Sequence, residues 1–202
     1  MQNLFRAFRK PPEEEFITIV SGLPRSGTSM MMKMLEAGGI QPVTDNLRTA
    51  DDDNPRGYYE FERVKKMPDG DISWVGEAQG KAVKVISALL EHLPSEYLYR
   101  VLFMQRKVEE ILASQKQMLI RSGKPTGEVT DGQLAAVYDK HLVKVTTWLA
   151  DQPNFSTLFL DYGLILAEPE RYAKQVSQFL GNSLDVSKMV AIVDPQLYRQ
   201  RS

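Results

Sequence analysis

The sequence predicts an α/β fold of three layers, α/β/α, around a central and mostly parallel sheet. Three observations predict it. Short β-branched runs alternate with longer stretches whose apolar residues recur at helical spacing, the pattern of parallel strands joined by crossover helices. No internal repeat interrupts that alternation. The 202 residues are 43% hydrophobic and 25% charged, which suits a packed core and not a disordered chain.

The elements follow in order. Residues 1–15 read as an N-terminal tail, basic and aromatic at first, then Pro11-Pro12 and Glu13-Glu14-Glu15. The tail lacks the continuous apolar stretch of a secretory signal. Its composition suits a loosely packed terminus, or contact with a membrane surface or a partner. Phe16-Ile17-Thr18-Ile19-Val20 is a buried strand by pattern, followed by a Gly/Pro/Ser loop over 21–27. Met30, Met31, Met34 and Leu35 share one face of a helix over 28–37 that stops at Gly38-Gly39. Residues 41–80 are irregular and polar, and carry Tyr58, Tyr59, Phe61 and Trp74, an aromatic content that favours a binding loop over a linker. Further strands are expected at 82–86, 97–104 and 156–160. Helices are expected from Val108 to Leu119, from 131 to 149, and between Pro169 and Gly181, with proline at the start and glycine past the end. His141 flanks the apolar stripe of the second of these helices and reads as a partly buried structural histidine.

Composition excludes several chemistries. The 25 Lys+Arg against 26 Asp+Glu leave a formal charge of −1, without the basic excess of a nucleic-acid-binding domain. The absence of cysteine removes disulfides, thiolate metal sites and thiol nucleophiles. His92 and His141 are the only imidazoles and are not spaced as ligands, so no metal site is expected. No apolar run approaches the roughly 20 residues that cross a bilayer. A cytoplasmic protein is the default expectation.

The informative segment is Gly22-Leu23-Pro24-Arg25-Ser26-Gly27-Thr28-Ser29, between the first strand and the first helix. A glycine-rich turn there aims backbone N–H groups at one point, and the helix N-terminus adds partial positive charge, so the pair suits a phosphate. Gly22, Gly27 and Ser29 keep the spacing of the P-loop pattern, which makes the expected fold P-loop-type. Thr28 stands where that pattern has lysine, and the cation is Arg25 instead. A nucleoside-triphosphate-cleaving loop needs its lysine, a hydroxyl on Mg²⁺ and an acid ending a nearby strand. Gln105 ends the third strand, whereas Asp161 ends the fourth and keeps a kinase or NTPase reading open.

At these residues the chain resembles the superfamily of sulfotransferases that use 3′-phosphoadenosine 5′-phosphosulfate (PAPS), in a form close to the tyrosylprotein and many bacterial members. Pro24-Arg25-Ser26-Gly27-Thr28-Ser29 is similar to the family's 5′-phosphosulfate loop. Arg106 and, eight residues on, Ser114 are similar to its 3′-phosphate pair. Phe159-Leu160-Asp161-Tyr162, Glu168-Pro169-Glu170 and Phe179-Leu180-Gly181 continue the resemblance, although Gly163 replaces the usual Glu. The family's Arg-Lys-Gly closing loop is absent. Tyr198-Arg199-Gln200-Arg201 either replaces it in part or is a solvated basic end.

The resemblance implies one sulfotransferase-like domain over 16–202 that moves a sulfuryl group from PAPS to a hydroxyl or amine on a small molecule, glycan or peptide. It assigns Arg25 to the bridging oxygen, and Ser26, Gly27, Thr28 and Ser29 to the 5′-phosphate. Arg106 and Ser114 take the 3′-phosphate. Lys84 either touches the transferring group or is a snorkelling surface lysine. Cytosolic relatives place a catalytic histidine where this chain has Ile86, and His92 lies too far along to replace it. Relatives acting on tyrosine or glycans use a glutamate after the first helix, which points to Glu60 as the base, with Glu62 as the fallback. Both also suit plain surface carboxylates. A third reading keeps the fold and the nucleotide but little catalysis.

Overall fold

Phe16–Gly22 forms the central strand, β1, because its side chains are apolar or small on both faces, and only a sheet covered on both sides buries such a run. Ile17 and Ile19 point one way and Val20 the other, all buried. In chain order follow α1 (Thr28–Gly38), β2 (Pro42–Val43), 3₁₀ turns at Glu62–Asp69 and Val75–Ala78, β3 (Ala82–Lys84) and a 3₁₀ turn at Ser87–His92. Then come β4 (Leu98–Gln105), α2 (Val108–Arg121), α3 (Asp131–Asp151), β5 (Phe155–Asp161), α4 (Tyr162–Ala167), α5 (Pro169–Phe179) and α6 (Val186–Ile192). The computed structural model describes residues 15–45, 59–123 and 129–194. The basic tail, Tyr58 with the acidic run before it, and the C-terminal arginines lie outside them.

The sheet runs β2-β3-β1-β4-β5 with every pair parallel, so all five strands point their C-terminal ends to one edge. Two cores cover its faces. One packs Ile17, Ile19, Val83, Val101 and Phe103 against α3 and the 3₁₀ segments. The other packs Val20, Leu102, Met104 and Leu160 against α1 and α4 to α6. These are the three expected layers.

Local sequence explains the ends of the helices. Gly39 closes α1 in the left-handed conformation at φ 108°, its N–H on the carbonyls of Leu35 and Glu36. Thr130 and Gln133 form a reciprocal capping box that starts α3. Pro169 opens α5 at a position where a missing N–H costs nothing.

The segment over 41–80 differs from the reading above. It contains the edge strand β2 and two 3₁₀ turns, and its described aromatics, Tyr59, Phe61 and Trp74, pack in or against the cores. Trp74 is 3% exposed, and its indole N–H donates to the Asp71 carbonyl at 3.0 Å. Phe61 packs edge-on against it at 5.3 Å. These two rings pack into the core on the α3 side of the sheet. Strand β3 stops at Lys84, two residues short of expectation, although the Val85 N–H still donates to Val20 O at 3.0 Å.

His141 is half-buried on α3 and shares a hydrogen bond of 2.8 Å with the buried Ser87 hydroxyl, tying α3 to the turn after β3. Burial, then Lys144, holds its imidazole below the ordinary 6.5, with Glu91 opposing. Among the described residues no helix is long and apolar enough to cross a membrane.

Two outcomes follow from this packing. Leu102 is fully buried in β4 beside Val20, so Leu102→Ala lowers the unfolding free energy by about 2–5 kcal/mol in urea titrations followed by tryptophan fluorescence. The unfolded chain binds a proton at His141 more readily than the folded one. The histidine's contribution is therefore whole above its unfolded value and is lost as pH falls through the folded value. Between about pH 7.5 and about pH 5, the urea midpoint falls further in the wild type than in His141→Asn.

Candidate functional site

The C-terminal ends of the central strands carry the site. The turn from β1 to α1 needs glycine twice. Gly22 adopts φ 141°, and a Cβ there meets the Met104 carbonyl oxygen at 2.5 Å. Gly27 adopts φ 99°, and a Cβ there runs into the Tyr162 ring. Arg25 takes the left-handed region as well, at φ 72°, unusual for a residue with a long side chain.

Helix α1 begins at Gly27 with no side-chain cap and no acidic residue in its first turn. Its leading N–H groups and its dipole are left to whatever anion approaches. Inside the turn, the Ser26 hydroxyl is buried with no hydrogen-bond partner, as is that of Ser21 just before it. Leaving a buried hydroxyl unsatisfied costs about 1–3 kcal/mol, a cost that a bound acceptor oxygen removes. The donor set thus fits a phosphate-like group.

The other expected residues converge here. The Arg25 Nε donates to the Ser114 hydroxyl on α2 at 3.0 Å. The Arg106 Nη1 donates to the Arg25 carbonyl at 3.2 Å, and its Nε donates to Glu110 at 2.9 Å. The Lys84 Nζ, at the end of β3, donates to the Ser29 hydroxyl at 3.3 Å. Arg25, Ser26, Gly27, Thr28, Ser29, Lys84, Arg106 and Ser114 therefore form one continuous cluster, in which Arg25 and the Arg106–Ser114 pair are in direct contact.

Glu60 stands at the side of this cluster. Its carbonyl accepts from the Thr44 hydroxyl at 3.0 Å and from the Asp45 N–H at 3.5 Å. Thr44 is the residue after Val43, which pairs with Val83, the residue before Lys84. The Glu60 main chain is thereby clamped to the residues that follow β2, the strand next to the one that ends in Lys84. Its carboxylate lies 3.4 Å from the Lys65 Nζ and is 23% exposed, whereas Glu62 is 43% exposed and bonds the same lysine at 2.6 Å. Of the two, Glu60 is the more enclosed.

Two contributors escaped the sequence reading. Glu110 is 3% exposed and neutralises Arg106, and Tyr162 lies against both Gly27 and the Arg106 guanidinium, which is 4.8 Å from its ring centre. The signal for Glu110 was present as an Arg–Glu pair at i, i+4 opening a helix. That for Tyr162 was an aromatic directly after a strand end. Asp161, the rival acid, accepts from the Leu164 N–H at 2.9 Å and caps α4 at the end of β5, which does not border β1.

No family model matches the sequence, and no curated protein matches it in sequence either. Solved structures do match its fold. Sulfotransferase STF1 from Mycobacterium tuberculosis H37Rv superposes with a TM-score of 0.54 at 15% identity, over 93% of this chain and 77% of that one. Retinol dehydratase, solved with androsterone and the inactive cofactor PAP, gives 0.52 at 16% identity over 93% of this chain. The chain has the sulfotransferase fold. Mouse sulfotransferase SULT7A1, solved with PAP, gives 0.50 at 18% identity over 89% of this chain. The chain spans 65% of the retinol dehydratase and 62% of the mouse protein.

The buried pair gives a test of the cluster. Glu110→Ala leaves the Arg106 charge enclosed without its partner and is expected to cost about 3–5 kcal/mol of stability. Glu170→Ala, in an exposed pair of the same spacing, leaves the melting midpoint unchanged by circular dichroism.

Proposed function

We propose that this chain is a sulfotransferase that takes its sulfuryl group from PAPS and passes it to a hydroxyl or amine acceptor. The observation that carries the reading is the partnerless Ser26 hydroxyl, buried in an uncapped turn that bears an arginine and touches Arg106 and Ser114. Two proteins of the same fold are solved with PAP, the desulfated nucleotide, which supports the choice of donor.

Each residue has a task that its chemistry allows. The first-turn N–H groups of α1 and the hydroxyls of Ser26, Thr28 and Ser29 hold the 5′-phosphate. Arg106 and Ser114 hold the 3′-phosphate, a forked donor beside a short hydroxyl. The donor supplies an activated sulfur: its bond to the bridging oxygen breaks, a bond to the acceptor oxygen or nitrogen forms, and the acceptor proton leaves. Arg25 stabilises the charge that collects on the bridging oxygen, Lys84 neutralises the moving group, and Glu60 takes the proton.

The strand ends favour this reading over a kinase. The strands that border β1 end in Lys84 and Gln105, neither of which offers a carboxylate to Mg²⁺, and Asp161 is engaged as a cap.

Calorimetric titration decides between the two. PAP is expected to bind without Mg²⁺ and more tightly than ATP with Mg²⁺; the reverse order overturns the proposal. Arg25→Ala is expected to slow PAPS turnover by about 10²–10³-fold, the range for loss of one charge-stabilising donor. Nucleotide binding with no sulfated product from any phenol, glycan, lipid or peptide would leave a binding protein of this fold.

A further inference from the structure

Three non-glycine residues among those described have positive φ. Asn182, at φ 62°, follows Gly181 at the end of α5, where asparagine tolerates such backbone. The other two border the site: Arg25 in the turn, and Tyr59 at φ 51°, immediately before Glu60. A bulky aromatic holds this conformation only where its surroundings impose it.

The surroundings of Tyr59 are specific. Its hydroxyl donates to Glu36 Oε2 at 2.6 Å, and the Lys33 Nζ donates to the same oxygen at 2.7 Å. The Lys33 Nζ also sits 5.9 Å from the centre of the Tyr59 ring, which packs against the core beneath α1. Lys33, then Tyr59, holds the Glu36 carboxyl below its usual range, so this acceptor stays ionised at neutral pH. Lys33 and Glu36 lie on the helix whose N-terminus forms the anion cradle. One residue further on, Glu60 is clamped by Thr44 and Asp45, and the Asp45 carboxylate accepts the Glu62 N–H at 2.7 Å.

We propose that Tyr59 is a positioning residue: bonded to Glu36, it fixes the chain where it returns to the sheet and aims the Glu60 carboxylate at the acceptor. The proposal rests on the reading of Glu60 as the base. The strained backbone turns the chain at Tyr59, the hydroxyl holds it there, and the β2 end receives Glu60. Donor site and base are thus mounted on the same helix, α1, at its two ends.

Hydrogen exchange and turnover test it together. The Asp45 and Glu62 amides report the clamp on Glu60. Tyr59→Phe and Glu36→Ala are each expected to speed exchange at both amides by about tenfold, and the double variant no further, since one bond is lost in all three. PAP affinity stays within about twofold of the wild type. With PAPS and 4-nitrophenol, kcat for PAP formation falls about tenfold in Tyr59→Phe, with KM for PAPS unchanged. Unchanged exchange overturns the proposal. So does faster exchange with unaltered kcat when Glu60→Gln is slow. If Glu60→Gln turns over like the wild type, or the wild type forms no PAP, the base assignment or the proposed function has failed, and the positioning role falls with it.

Discussion

A guanidinium enclosed by a carboxylate, an aromatic ring and a main-chain carbonyl joins the parts of this site. Arg106 follows β4, its ion partner Glu110 lies on α2, Tyr162 begins α4, and the carbonyl belongs to Arg25 in the turn after β1. Three segments distant in sequence, the β4–α2 junction, the turn after β1 and the start of α4, meet on one side chain. Burying such a pair gains little stability against a hydrophobic alternative, because both ions lose their hydration. What it supplies is geometry: a planar fork whose position is set from several directions. The same carbonyl contact helps to hold Arg25 in its left-handed backbone.

The turn between β1 and α1 is built against local stability. It spends two positive-φ glycines, one positive-φ arginine, an uncapped helix start and two unsatisfied buried hydroxyls. The uncapped start alone forgoes a Ser or Asp cap worth roughly 1 kcal/mol. Burial of Met31, Met32, Met34 and Leu35 offsets these costs from the other side of α1. Unmet donors facing one point, on a helix too well packed to move, are what an anion site requires.

The cluster around the turn was legible in the sequence because its information is local. Gly22 through Ser29 specify a turn by residue type, and Arg106 and Ser114 keep a fixed helical spacing. The sheet was legible for the same reason, as in the β-branched run of β1. What escaped was set by tertiary contact. Strand β2 is two residues led by a proline, too short for any period to appear. The aromatics over 58–74 favour a binding loop by composition, but Trp74 is buried in the core and Phe61 packs against it, and composition does not say which way a ring will face. Nothing about Tyr59 as a letter announces a positive φ, which exists because Glu36 and the core hold the ring.

Under the proposed function, the charges at the strand ends would suit an anhydride that arrives already activated. The two strands beside β1 end at a lysine and a glutamine, and the turn itself contributes an arginine and a helix N-terminus. The nearest carboxylate inside the cluster, Glu110, is spent on Arg106. The field over the cradle is therefore positive without help, and it tracks the charge that must grow on a departing phosphate oxygen. A triphosphate-cleaving site of the same topology puts an acid beside that cradle to hold a metal, which lowers the protein's own field and lets the ion restore it. In the proposed sulfotransferase, moving the cation into the turn as Arg25 and leaving the flanking strand ends without acids would thus be two parts of one arrangement, in which the protein itself provides the electrophilic assistance.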